Sequence, residues 1–198
     1  PIISKIIEKI VHDQTQEYLK ESILLSKYQS GSRKNHSTDF CLSYVSNTIS
    51  KRFDSGVLTG MILIDLQNAF ETINHEILLG KMSYLGFSEN MITWFSSYLR
   101  FRQFQVSVND NLSQSETISC GVPKRSILGP LLFLLYINDI PQAVKCEILL
   151  YADDTFLVFQ HKDIKIIEKQ LNEDFANLCE WFIDNKLSVH FGEDKTKT

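Results

Sequence analysis

The chain has 198 residues, 43% hydrophobic and 22% charged, which are ordinary values for a globular protein and exclude a fibre or a disordered tract. That length suffices for a single domain with a sizeable core, or for one domain plus part of another. A formal net charge of −4 removes any global electrostatic case for nucleic-acid binding, so such a case must rest on local clusters. The four cysteines, Cys41, Cys120, Cys146 and Cys179, are far apart and form no C-x-x-C pair. This argues against a disulfide framework or a zinc site and for free thiols in a reducing, intracellular setting, cytoplasm or nucleus. The longest apolar run, Ile127–Ile137, is too short to cross a bilayer, so no membrane is expected. The opening PIISKIIEKI has no secretory signature, a starting Met is lacking, and DKTKT closes no evident element, so a piece of a longer polypeptide is expected.

Residues 2–25 carry Ile3, Ile6, Ile7, Ile10, Val11, Tyr18, Leu19, Ile23 and Leu24 near helical spacing, interrupted around His12–Gln16; this predicts one long helix or two short ones. Residues 27–38 are polar, hold Lys27, Arg33, Lys34 and His36, and read as a loop ending in the N-cap candidates Ser37 and Thr38. A second helix is expected over 39–53, and Asp54-Ser55-Gly56 breaks it. Leu58–Leu66 reads as a buried strand with a single acid, Asp65. Asn74 caps a helix over 75–85 with Glu76 in its first turn, and another helix follows at about 89–99. Phe104–Val108 and Ser115–Ser119 form a hairpin around Asn109-Asp110-Asn111. Gly121-Val122-Pro123 ends it, and Ser126 or Gly129-Pro130 starts a helix to about Asp139.

In Glu147–Phe159, EILLYADDTFLVF, two apolar strands are separated only by Ala152-Asp153-Asp154, which predicts a tight hairpin. Two carboxylates at its tip repel each other, and solvent, a basic neighbour or a bound cation must offset that. Asp163 opens an amphipathic helix to about Asn185, and Leu187–Phe191 is a last strand. Hairpins among the helices favour an α+β design, an antiparallel sheet with helices packed on one face, over a parallel sheet. Asp65 lies near the C-terminal end of its strand, and a lone buried carboxylate is costly unless paired or bound to metal. Should that strand neighbour the acidic hairpin, Asp65, Asp153 and Asp154 converge at one sheet edge. Hard divalent ions suit such oxygen donors, and two of them roughly 4 Å apart clamp the attacking and leaving oxygens of a phosphoryl transfer. The plainer alternatives are a solvated turn and a strand-end acid facing water.

Five ordered segments resemble the reverse transcriptase domain of non-LTR (LINE-type) retrotransposons: QSGSRKNHSTD at 29–39, IDLQNAFETINHEILL at 64–79, GVPKRSILGPLLFLLYIND at 121–139, YADD at 151–154 and LSVHFGEDK at 187–195. The resemblance runs through essentially the whole chain. It implies a polymerase palm with part of the fingers, the fingers portion at 1–57 and mainly palm over 58–198, the thumb absent. It implies an RNA-directed DNA polymerase that transfers a nucleotide from dNTP to a primer 3′-hydroxyl, with two Mg²⁺ ions (Mn²⁺ as substitute) as cofactors. Its partners would be an RNA template, a DNA primer, dNTPs and the remainder of the parent polypeptide, a thumb and, in some layouts, an endonuclease domain.

Residue by residue, Asp65, Asp153 and Asp154 match the catalytic, metal-binding carboxylates, with Asp65 and Asp153 the main ligands. Phe70, five positions after Asp65, matches the steric gate that disfavours a ribose 2′-hydroxyl; alone it reads as a core aromatic. Arg33 and Lys34 match a fingers segment that meets triphosphate or template phosphates, Pro123 and Lys124 fall in the nucleotide-binding segment, and Lys195 matches a lysine placed to protonate pyrophosphate. Arg100 and Arg102, interleaved with Phe101 and Phe104, are candidates for nucleic-acid backbone contacts, with a plain surface cluster as the alternative.

The sequence also departs from the family. Where the family reads G-V-P-Q-G-S, this chain has Lys124 and Arg125 in place of the glutamine and the glycine. A glycine there permits special φ/ψ and close approach, neither of which an arginine offers. Asn68, Glu71, Asn74 and Ser32 also differ from the usual pattern. A catalytically inactive, degenerate fragment, at most a nucleic-acid-binding module, is therefore the competing reading. A group II intron maturase shares YADD, but Asn74–Leu79 and ILGPLLFLLYIND are LINE-like.

Overall fold

The structure is a computed structural model that describes residues 2–30, 43, 46–47, 50, 56–109, 111–123 and 125–190. The helix expected over 39–53 lies largely outside them. Helix α1 (Ile2–Glu21) is continuous through the pattern break at His12–Gln16, where Lys9 and Asp13 pair at 2.7 Å across one turn. Only Thr15 and Leu19 are buried on it, and Ile3, Ile6, Ile7 and Ile10 of its apolar pattern are exposed.

Strand β1 (Leu58–Gln67) leads into α2 (His75–Tyr84) and α3 (Glu89–Leu99). Their starts follow from side-chain caps: Asn74 accepts from the Ile77 amide at 3.0 Å and Ser88 from that of Met91 at 3.4 Å. The next hairpin is two ladders rather than one. β2 (Gln103–Phe104) pairs with β5 (Glu116–Thr117), and β3 (Ser107–Val108) with β4 (Asn111–Leu112). The returning strand carries one more residue than the outgoing one between the ladders, a bulge held by Ser113, whose hydroxyl and amide both bond Val106 at 2.9 Å.

Helix α4 (Gly129–Tyr136) is buried on every side from Leu131 to Tyr136, as an all-apolar helix must be. After a 3₁₀ turn (Ile140–Ala143) come β6 (Glu147–Tyr151), β7 (Asp154–His161), α5 (Ile164–Asp184) and β8 (Ser188–Val189). Among the described residues the main sheet has the order β6-β7-β1-β8, antiparallel throughout, which bears out the α+β expectation. Residues 28–30 cover its β6 edge: Ser30 donates to the Leu150 carbonyl and Leu150 to that of Tyr28.

The sheet has one packed face. Ile62, Ile64 and Leu66 are buried, whereas Leu63 and Gln67 are exposed and Asp65 is half-buried. Gly60 lies on the packed side, and a Cβ there would collide with Ile167 and Leu171, so glycine is what lets α5 lie close on β1. The fully buried Asp174 of α5 accepts from the amides of Cys146 at 2.6 Å and Lys145 at 3.0 Å, fixing where β6 begins. Asp174→Ala leaves the buried Cys146 amide and the part-buried Lys145 amide without this acceptor and should lower unfolding free energy by about 1–3 kcal/mol in urea titration, whereas Asp174→Asn, which keeps an acceptor, should lose less.

Candidate active site

The β1–β7 ladder fixes the site. Asp65 and Asp154 are Cα partners, and Asp154 is in turn the partner of Tyr151 across the β6–β7 hairpin. On the other side of β1, the His190 amide donates to the Asp65 carbonyl at 2.9 Å. One row therefore crosses three strands and the residue just after β8: Tyr151, Asp154, Asp65, His190. Asp154, expected in the loop, is instead the first residue of β7, leaving only Ala152-Asp153 as the turn. Ala152 has φ +52°, in the left-handed region that two-residue hairpin turns usually fill with glycine or asparagine. Asp65 and Asp153 are half-buried and Asp154 is exposed.

Like charges directly opposite on neighbouring strands destabilise them. Among the described residues, no three His, Cys, Asp or Glu side chains are grouped closely enough to hold a cation by themselves. That arrangement still fits magnesium, which commonly binds through one or two carboxylates and completes its shell with water and substrate phosphates. The donors present are hard oxygens at the rim of the sheet.

Beside the row, the chain leaving β1 turns at Asn68 (φ +50°), whose carbonyl accepts from the Glu71 and Thr72 amides. This turn presents Phe70, half-buried, its ring 4.8 Å from that of Phe133 and tilted by 36°. Phe70 is thus both a core contact and a partly open surface. Its carbonyl accepts from the Val122 amide at 2.8 Å, so Pro123 lies in the strand-like segment next to it. Further on, Arg125 is exposed with φ +61°, and the Ser126 hydroxyl accepts from the amide of Gly129, the first residue of α4, at 2.9 Å. Glu8 of α1 reaches this segment and accepts from the Ile127 amide at 2.7 Å. Burial pushes the neighbouring Tyr98 phenol up to about 12, with Ser126 opposing that rise and Glu8 adding to it.

Arg100 ends α3 exposed, and Arg102 is half-buried near Tyr98, away from the carboxylate row in the chain but beside the Ser126 end of the loop. Arg33, Lys34, Lys124 and Lys195 lie outside the described residues. His190 and His75 were not singled out from the sequence. Nothing local marks either, because each gains its place only when distant strands pair.

The model of the reverse transcriptase (RNA-dependent DNA polymerase) family matches residues 1–198. The chain belongs to that family. Among curated proteins, a probable RNA-directed DNA polymerase from transposon BS of Drosophila melanogaster is 28% identical over 187 residues, covering 90% of this chain. The RNA-directed DNA polymerase from mobile element jockey of the same species is 28% identical over 189 residues, covering 91%. In both cases the chain spans only 20% of the relative's length. These relatives bear out the resemblance to retrotransposon reverse transcriptases. Among solved structures, apo telomerase from Candida tropicalis superposes with a TM-score of 0.66 at 12% identity, over 97% of this chain and 36% of that one. Telomerase from Candida albicans gives 0.62 at 15%, over 98% and 34%. At such identities the likeness is one of fold.

Arg125, at the position where the resemblance drawn from the sequence has a glycine, takes the left-handed backbone that glycine adopts most readily. An L-residue pays about 1–2 kcal/mol for it. Arg125→Gly should therefore raise the thermal midpoint by the equivalent of about 0.5–1 kcal/mol after glycine's own entropy cost, and Arg125→Ala, which keeps a Cβ, should not.

Proposed function

We propose that this chain is the palm and part of the fingers, divided near residue 57, of an RNA-directed DNA polymerase that extends a DNA primer on an RNA template. The observation that carries the reading is the register that sets Asp65 opposite Asp154, with Asp153 in the adjoining turn. In the reaction the primer 3′-hydroxyl oxygen bonds to the α-phosphorus of a dNTP and pyrophosphate leaves. Bound divalent cations, Mg²⁺ or Mn²⁺, would neutralise triphosphate charge and favour loss of the hydroxyl proton.

Asp65 and Asp153 would hold them and Asp154 would assist, all three from a rigid sheet end, so that little reorganisation accompanies the reaction. Phe70, backed by Phe133, would meet the sugar and clash with a 2′-hydroxyl. Pro123 would line the same seat. By the family's pattern, Lys124, Arg33 and Lys34 would contact the triphosphate and Lys195 would protonate pyrophosphate. Arg100 and Arg102 would touch nucleic-acid backbone, a contact that salt weakens.

One observation favours a second reading, an inactive copy. Arg125, strained and exposed, stands where the seat needs a small residue. The test is primer extension on an RNA template with Mg²⁺ and dNTPs, using the complete polypeptide that carries the chain. Asp153→Asn should lower the rate by about 10²–10³-fold or more, as loss of several kcal/mol of charge stabilisation requires. Equal signal from wild type and Asp153→Asn sinks the polymerase reading. Low wild-type activity restored by Lys124→Gln with Arg125→Gly would favour the second reading for this copy. Phe70→Ala should raise ribonucleotide incorporation relative to deoxynucleotide, read as a ratio of kcat/KM values.

A further inference from the structure

The seat is stitched together from segments that are distant in sequence. Residues 70–75 leave the carboxylate strand, and residues 120–122 run back along them, with Asn74 and Cys120 facing as an antiparallel bridge. Backbone amides make two of the links: Gly121 donates to the Ile73 carbonyl at 2.7 Å and Val122 to that of Phe70 at 2.8 Å. A side chain makes the third. His75, the first residue of α2 and buried to 7% exposure, has Nε2 at 2.8 Å from the Gly121 carbonyl oxygen. A carbonyl only accepts, so Nε2 carries the hydrogen.

The fit is close. Gly121 has φ +81°, and a Cβ on it would stand 2.5 Å from the Glu71 carbonyl oxygen, so its peptide lies flat on the turn that bears Phe70. The mount behind His75 is firm, because Asn74 caps α2 and the Asn74 amide donates to the Tyr136 hydroxyl at 3.3 Å. A buried carbonyl without its donor would draw the segment toward water.

We propose that His75 is a positioning residue of the nucleotide seat: its Nε2–H fixes the Gly121 peptide so that Val122 and Pro123 stand beside Phe70. The inference rests on the reading of Phe70 and Pro123 as the seat of the incoming nucleotide. It concerns binding of that nucleotide, not the chemical step at the carboxylates. Glutamine has the reach to replace the Nε2 donor; asparagine and alanine do not.

The experiment has two arms in the complete polypeptide, for wild type, His75→Ala, His75→Gln and His75→Asn. One measures KM and kcat for dTTP on poly(rA) primed with oligo(dT). The other measures hydrogen exchange at the Gly121 and Val122 amides without nucleotide. Loss of one hydrogen bond should raise KM about tenfold with kcat held within about threefold, and speed exchange about tenfold, in His75→Ala and His75→Asn. His75→Gln should return both toward wild type. Folded Ala or Asn variants with unchanged KM and exchange overturn the proposal, as does a folded Gln variant that behaves like alanine. A merely structural role would lower melting temperature in all variants and leave KM alone. A wild type without extension activity would count against the polymerase reading; the exchange arm then decides whether His75 holds the segment, and unchanged exchange in the Asn and Ala variants overturns it.

Discussion

Everything at the candidate site depends on the β1–β7 ladder keeping one register. Its pairs run without a break from Leu58 with His161 to Asp65 with Asp154. Because side chains alternate, a slip of one residue would turn Asp65 to the packed face and Ile64 to the open one. The ladder ends on a pair of like charges, a cost of up to about 1 kcal/mol. Against it stand Ile62, Ile64 and Leu157, each buried to a few per cent or less on the packed side and each worth about 1.5–3 kcal/mol. The apolar face wins by several fold, so the acids are held together by side chains on the opposite face of the sheet. Gly60 belongs to the same account, since its missing side chain gives α5 the room to cover that face.

The second constraint lies behind the site, in α4. Its Tyr136 hydroxyl receives the Asn74 amide and donates to the Asn185 carbonyl, so one phenol ties the start of α2 to the end of α5. Burial raises the Tyr136 pKa above the usual phenol value. Lys81 completes the brace: it reaches the Tyr136 carbonyl at 2.7 Å and Asp139 at 2.6 Å, and its ammonium lies 4.5 Å from the centre of the Trp181 ring. Phe133 on the same helix backs Phe70. The apolar run at Ile127–Ile137, too short to cross a bilayer, is thus what backs the Phe70 ring.

Local chemistry was legible in the sequence, and pairing was not. Asn74 and Asp163 announce helix starts and do cap them, with Asp163 accepting from the Lys165 amide at 2.9 Å. The acidic hairpin and the strand around Asp65 follow from β-prone runs bounded by turn residues. That these strands are neighbours could be posed only as a condition, because strand order is a long-range outcome. The one-residue shift of Asp154 from turn to strand reflects a turn that closes on two residues when Ala152 takes a left-handed conformation. Ser113 hides a bulge inside what reads as plain alternation. The exposed isoleucines of α1 show the limit of periodicity, which identifies an apolar face and does not say what covers it.

Three non-glycine residues around the site share left-handed backbone: Asn68, Arg125 and Ala152. They are not equivalent. Asparagine tolerates this region, and alanine at the hairpin tip brings no bulk. Arg125 combines the strain with a long, exposed side chain. Hydrogen bonds flank it on both sides, from His75 to the Gly121 carbonyl and from the Ile127 amide to Glu8. The carboxylate row answers to a different set of contacts, the ladder and its packed face. The strain at Arg125 is therefore separate from the ladder that aligns Asp65 with Asp154, and under the proposed reading it bears on nucleotide placement rather than on the carboxylates.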